Sequence, residues 1–243
     1  MQHNCPQSQW QRLATPGLLA LAIASFGCQP LSDTTATQST DEAATAAQTE
    51  AQTGETQTDA AAPVRVGEPA PDFTAVDSQG NAHALSDFRG QVVVLEWTNH
   101  QCPFVAKHYG SGNMQALQAD ATAKDVTWLS IVSSAPGKQG YVEADKANEL
   151  TESRSASPTA VLLDPEGDIG RLYDARTTPH MFVINEDGVV EYMGAIDSIP
   201  SADTADLEKA ENYVEAALTS VLADQPVETT ASQPYGCSVK YDS

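Results

Sequence analysis

The chain has 243 residues, enough for one or two domains, and carries 33 acidic against 12 basic side chains, a formal net charge of −21. That balance excludes nucleic acid and anionic membrane surfaces as electrostatic partners, because both are recognised through Lys/Arg clusters. Beyond this it fits a solvated acidic face or an adaptation to salt, and says little about fold.

Residues 1–28 read as an export signal. Gly17 to Phe26 is an apolar run too short to span a bilayer as a mature helix, with Arg12 as the firm charge ahead of it. Gly27-Cys28 follows directly. A small residue, a cysteine and then a polar stretch resemble a bacterial lipoprotein cleavage site, in which Cys28 becomes the lipidated N-terminus, although Ser25 stands where leucine is usual. The expected location is therefore the periplasm or cell envelope, touching the membrane through a lipid anchor only. Ordinary signal cleavage is the alternative, and Cys5 is discarded in either case. Residues 29–62 are dominated by Thr, Ala, Gln, Asp and Glu, with no aromatic residue, a composition that cannot offset its own ordering entropy. A disordered tether is expected there, and one folded domain over 63–243.

That domain opens with the extended segment Val66 to Phe73. A short hairpin is predicted from Thr74–Asp77 and Ala82–Leu85 around Asp77-Ser-Gln-Gly80, followed by a turn at Ser86 to Gly90. Val92 to Leu95 is continuously apolar and β-branched, as a strand buried on both faces requires. It leads through Trp97-Thr-Asn-His-Gln to Cys102-Pro103. Proline suits the first position of a helix, so the sulfur of Cys102 is expected among free backbone N–H groups at the positive end of the helix dipole. Both favour a thiolate.

A helix from Cys102 to about Ala123, broken near Gly110-Ser-Gly112, is predicted next. Then come a strand at Val126–Val132, a polar helix at Glu143–Arg154, a strand at Thr159–Asp164 and a helical turn at Asp168–Ala175. A strand at Pro179–Asn185 turns at Glu186-Asp-Gly188 into another at Val189–Gly194. A last helix is predicted near Asp203–Ala223, where Ala210, Tyr213, Val214, Ala217, Leu218, Val221 and Leu222 fall on one face. The tail Tyr235-Gly-Cys-Ser-Val-Lys240 follows. Strands alternating with helices, then a β-hairpin, specify an α/β fold with a mixed central sheet.

This order, with Val66-Gly-Glu-Pro-Ala-Pro-Asp-Phe73, Trp97 to Phe104 and Thr178-Pro179 ahead of Met181 to Ile184, resembles the redoxin (alkyl hydroperoxide reductase/thiol-specific antioxidant) branch of the thioredoxin-fold superfamily. The resemblance covers residues 64–223. It implies a central mixed sheet flanked by helices with an N-terminal β-hairpin extension, a cis bond before Pro179, and a reactive Cys102 beside it. Departures from related patterns are informative. Val105 stands where thiol–disulfide reductases carry the second cysteine of Cys-x-x-Cys, and Thr98 where copper-chaperone relatives carry their first. Leu95 and Asn99 replace the Pro and Thr/Ser usual ahead of a peroxidatic cysteine.

The expected activity is thus that of an exported antioxidant thiol oxidoreductase, the Cys102 thiolate reducing a peroxide and Cys237 resolving the sulfenic acid. Asn99, His100 and Arg176 are candidates for donors to the peroxide, with Trp97, Pro103, Thr178 and Pro179 lining the pocket. Two alternatives stay open. One is thiol–disulfide exchange on exported proteins. The other is a non-catalytic binding module with a structural Cys102–Cys237 disulfide. Either catalytic reading requires a peroxide or protein disulfide as substrate and an external thiol as reductant. No cofactor is expected, since the chain has no phosphate-binding Gly-rich loop, and His83, His100, His108 and His180 show no metal-ligand spacing.

Overall fold

The computed structural model describes residues 63–242. The expected export signal, the lipidation site at Cys28 and the linker over 29–62 lie outside them. No helix among the described residues is long and apolar enough to cross a membrane.

Seven strands form one mixed sheet in the order β2-β1-β5-β4-β3-β7-β8. In chain order they are β1 (Thr74–Asp77), β2 (Ala82–Ala84), β3 (Val93–Trp97), β4 (Thr127–Val132), β5 (Ala160–Leu163), β7 (His180–Ile184) and β8 (Val190–Gly194). β3, β4 and β5 are parallel, while β7 pairs antiparallel with β3 and β8. The predicted N-terminal hairpin exists and extends the sheet, β1 pairing antiparallel with β5. The turn after it tightens into a 3-10 helix at Leu85–Phe88.

Alternate residues of the central strands feed two cores. On one face Val93, Leu95 and Trp97 meet Leu129, Ile131, Phe182 and Tyr173. On the other, Val94, Trp128, Met181 and Val183 meet α1 (Pro103–Gly110), α2 (Asn113–Thr122) and α5 (Tyr213–Val221) through Val105, Met114 and Val214. Burial on both faces is why β3 reads as an unbroken apolar run; each fully buried side chain of this size contributes about 1.5–3 kcal/mol. The expected break between α1 and α2 falls at Gly112, which takes φ +82°. α3 (Ala144–Ser153) and α4 (Asp168–Leu172) complete the helices.

The last helix differs from expectation. Instead of running from Asp203, the chain makes a 3-10 turn at Thr204–Asp206, and α5 starts only at Tyr213. Asn212 caps it, its side chain accepting the Glu215 N–H at 3.0 Å. Backbone pairing holds the preceding residues to the β8 exit, with Tyr213 N–H on Ile196 O and Ser198 N–H on Glu211 O. A helix through 207–211 would lose those bonds.

The tail is docked. A second, two-stranded sheet pairs β6 (Thr177–Thr178) antiparallel with β9 (Cys237–Ser238), with Thr178 opposite Cys237. Val239 N–H then reaches Arg176 O, and Ala135 N–H reaches Lys240 O.

Candidate active site

The site is built where β3 runs out. Asn99 shapes the turn: its carbonyl accepts Cys102 N–H at 3.0 Å, its Oδ1 accepts Gln101 N–H at 2.9 Å, and its Nδ2 donates to Gln139 O. Cys102 is the N-cap of α1 with extended φ/ψ, and Pro103 holds the first helical position, exposed. This is the strand–cysteine–helix junction that the sequence implied.

Across from it, the Thr178–Pro179 bond is cis. Protonated, Cys102 Sγ donates to Thr178 O at 3.1 Å. Cys102 is fully buried, whereas Cys237 is only half-buried, and both sulfurs are free thiols. Burial pushes the Cys102 thiol up, yet its net shift is down. A hydrogen bond from the Cys237 thiol, the backbone N–H groups of Val105 and Cys237, and the Thr178 side chain outweigh the burial. Cys237 is pushed up to about 11 by burial, by its hydrogen bond to Cys102 and by charge on that sulfur. Of the reduced pair, Cys102 is therefore the thiol that gives up its proton first.

The tail reaches this position through a buried polar latch. Tyr235 packs edge-on against Phe104 with ring centroids 5.7 Å apart, and its hydroxyl donates to Asp197 Oδ1. Lys107 Nζ, with its side chain fully buried, donates to Asp197 Oδ2 at 3.0 Å and sits 5.8 Å from the Tyr235 ring centroid. His108 Nε2 lies 3.7 Å from the same carboxylate oxygen without a hydrogen-bond partner among the described residues. Burial is the main reason its imidazole is lowered to about 4; Asp197 opposes the shift and Lys107 adds to it. Gly236 then passes the Thr178 carbonyl at φ +135°.

The remaining candidates separate from the sulfur. His100 is half-buried, its carbonyl accepting from Arg154 Nη2 at 3.2 Å, and it lines a small cavity with Thr98, Tyr109 and Arg154. Burial, then the charges of Arg154 and Lys146, lowers its imidazole. Arg176 is exposed and paired with Asp174, its Nε donating to Oδ2 at 3.0 Å, so it supplies the tail only a backbone carbonyl. Trp97 belongs to the core, tilted against Tyr173 and edge-on to Phe182, with Nε1 donating to Ser133 Oγ at 3.1 Å. Thr178 and Pro179 remain beside the thiols.

Sequence reasoning missed Phe104, Lys107, Asp197 and Tyr235, because nothing local distinguishes such residues from ordinary helix and loop positions. It also missed Glu96, fully buried in β3 as a charge inside an apolar run. Tyr109 OH, Trp128 Nε1, Ser130 Oγ and Gln118 Nε2 all donate to its carboxylate.

The sequence profile of the AhpC/TSA family matches residues 66–193. Among known proteins, the thiol-disulfide oxidoreductase ResA of Geobacillus kaustophilus (strain HTA426) is 26% identical over 126 residues, which are 47% of this chain and 72% of the relative. A hypothetical protein from Sinorhizobium meliloti 1021 superposes with a TM-score of 0.63 at 21% identity, over 75% of this chain and 97% of the other. An uncharacterized conserved protein from Geobacillus kaustophilus gives 0.62 at 24% identity, over 73% and 93%. The two solved structures share the thioredoxin-like α/β architecture described above.

Proposed function

The chain belongs to the AhpC/TSA family, and from that premise we propose that it is a thiol–disulfide oxidoreductase in which Cys102 attacks and Cys237 resolves. One observation carries this reading. An extended, cysteine-bearing segment lies strand-paired against Thr178, whose carbonyl also accepts from Cys102 Sγ, so that Cys237 packs beside the cluster holding Cys102. A polypeptide disulfide approaching Cys102 needs that same arrangement. The opposed shifts of the two thiols fit the roles, because the group that loses its proton more readily is both the attacking and the leaving sulfur.

The reaction runs in two exchanges. The Cys102 thiolate attacks one sulfur of a substrate disulfide, forming a mixed disulfide and releasing the other substrate sulfur as a thiolate that takes a proton. Cys237, giving up its proton, then attacks Cys102 Sγ and expels the second substrate thiolate. The substrate gains two electrons and the protein holds Cys102–Cys237, which an external thiol reductant reopens. The incoming thiolate meets the half-exposed Cys237, and Cys102 leaves as the more stable thiolate.

Peroxide reduction is the second reading, favoured by a lone low-pKa cysteine at a helix start. Against it, Asn99 is committed to the turn and Arg176 to Asp174. Export and lipidation at Cys28 complete the proposal, supported by the pattern of residues 1–28. Exported proteins with disulfides are then the substrates.

Mass spectrometry of reduced protein challenged in parallel with hydrogen peroxide and with a peptide disulfide tests these readings. A Cys102–Cys237 bond formed through a mixed disulfide on Cys102, trapped in Cys237→Ser, supports exchange. Sulfenic acid at Cys102 with no mixed disulfide overturns exchange in favour of the peroxidase. Membrane association lost in Cys28→Ala supports the anchor.

A further inference from the structure

The cleft that holds the tail has features that a sulfur-to-sulfur contact alone does not require. Cys102 is fully buried with the tail in place, so no polypeptide substrate reaches it unless residues 235–238 lift away. Whatever replaces them meets the same walls. We infer that this cleft is the substrate site, and that it selects extended segments carrying a tyrosine two positions before the attacked cysteine and a glycine immediately before it. This inference rests on the exchange reading above and names its substrate class.

Three contacts carry it. Thr177 and Thr178 offer backbone pairing opposite Ser238 and Cys237, which any extended chain can satisfy. At the next position the walls close. A Cβ on Gly236 would lie 2.1 Å from Thr178 O and 2.8 Å from Thr178 C, and those are backbone atoms of a strand that cannot yield as a flexible side chain would. One position further back is a built slot. Phe104 forms its apolar wall, and at its base Asp197, itself 3% exposed, accepts the Tyr235 hydroxyl while Lys107 holds the other carboxylate oxygen.

When the tail leaves, Asp197 Oδ1 keeps Ile199 N–H at 3.0 Å but loses its hydroxyl donor. A substrate tyrosine restores that hydrogen bond and a phenylalanine does not. A site built to hydrogen-bond a hydroxyl discriminates strongly against the analogue lacking it. The tail is thus an intramolecular competitor for the cleft, present at the high effective concentration of a tethered ligand. Its return after the first exchange brings Cys237 to the mixed disulfide and expels the product. Electrons and protons move as in the two exchanges above, with the same external thiol as reductant.

The experiment uses the reduced full chain and four short peptides whose cysteine is capped with 5-thio-2-nitrobenzoate, so that attack on the peptide sulfur releases the chromophore. The peptides carry Tyr-Gly, Phe-Gly, Ala-Gly or Tyr-Val ahead of the cysteine, in otherwise identical flanks. Tyr-Gly is expected to react fastest. The Phe-Gly and Ala-Gly peptides should be slower by about tenfold, the loss expected for one hydrogen bond to a charged acceptor. The Tyr-Val peptide should be slowed at least as much. Rates within twofold of one another overturn the substrate class while leaving exchange intact. No release from any peptide overturns exchange itself, and the inference with it. In Tyr235→Ala the tail's hold is weakened, so all rates should rise with their order preserved; loss of the order also overturns the inference.

Discussion

Gly236 and Thr178 approach as closely as a residue without a side chain permits, a Cβ on residue 236 falling 2.1 Å from the Thr178 carbonyl oxygen. Gly236→Val should therefore unseat the tail while leaving the main sheet intact. Alkylation of Cys102 at pH 10, where differences in thiol ionisation matter least, is expected to accelerate roughly tenfold or more as the sulfur becomes accessible. Circular dichroism of the same variant should be unchanged.

The thiol pair sets an order of ionisation. With Cys102 lowered and Cys237 raised to about 11, iodoacetamide titrated against pH should label Cys102 first and Cys237 only in strong alkali. The Cys237 thiol leads the groups that lower Cys102. Cys237→Ala should accordingly move the Cys102 labelling midpoint upward, and an unmoved midpoint would show that the helix start alone sets it.

Breaking the Lys107–Asp197 pair should be costly. Asp197→Asn leaves a fully buried ammonium without its carboxylate, for which roughly 3–5 kcal/mol is typical, read as a lower urea midpoint. Tyr235→Phe removes only one hydrogen bond to that carboxylate. It is expected to cost about 1.5 kcal/mol and to speed Cys102 labelling modestly.

His180 ties stability to pH. It is 4% exposed, and burial is the main reason its imidazole is lowered to about 4 from an ordinary 6.5; Asp174 opposes that shift and Arg176 adds to it. A lowered imidazole leaves the unfolded chain holding more protons between those values. Stability is then full above about 6.5 and falls as the pH drops towards 4, by on the order of 3 kcal/mol. In His180→Phe, set beside Phe182, urea midpoints at pH 7.5 and 5 should draw closer together.

Glu96 gathers four side-chain donors in the core, with no cation paired to it among the described residues. Glu96→Gln turns one acceptor oxygen into a donor facing donors. A loss of about 1–3 kcal/mol is expected, measured by urea denaturation, with the Cys102–Cys237 pair still assembled.

Much of the frame was legible because its signals are local. The Val92–Leu95 run, Cys102-Pro103 and the Glu186-Asp-Gly188 turn each specify their element without distant partners. The start of α5 was not legible. Asn212 becomes a cap only because Ile196 and Ser198 hold the residues around it. The same holds for the site. Cys102 announces itself, but Tyr235 finds Asp197 across 38 positions and Lys107 finds it across 90, so all three read as ordinary residues. Trp97 was misplaced for a related reason: adjacency to the cysteine in sequence put it near the pocket, while strand alternation turns it into the core.

The strand pairing of Thr178 with Cys237 also holds the C-terminal tail beside the start of α1. A bond from Cys102 to Cys237 would close a loop of roughly 135 residues, and a cross-link of that span removes about 4–5 kcal/mol of chain entropy from the unfolded state. Oxidised protein should therefore melt well above reduced protein. By reciprocity, folding favours the bond by the same amount, so melting temperature measured in graded thiol buffers becomes a thermometer of the protein's own reduction potential.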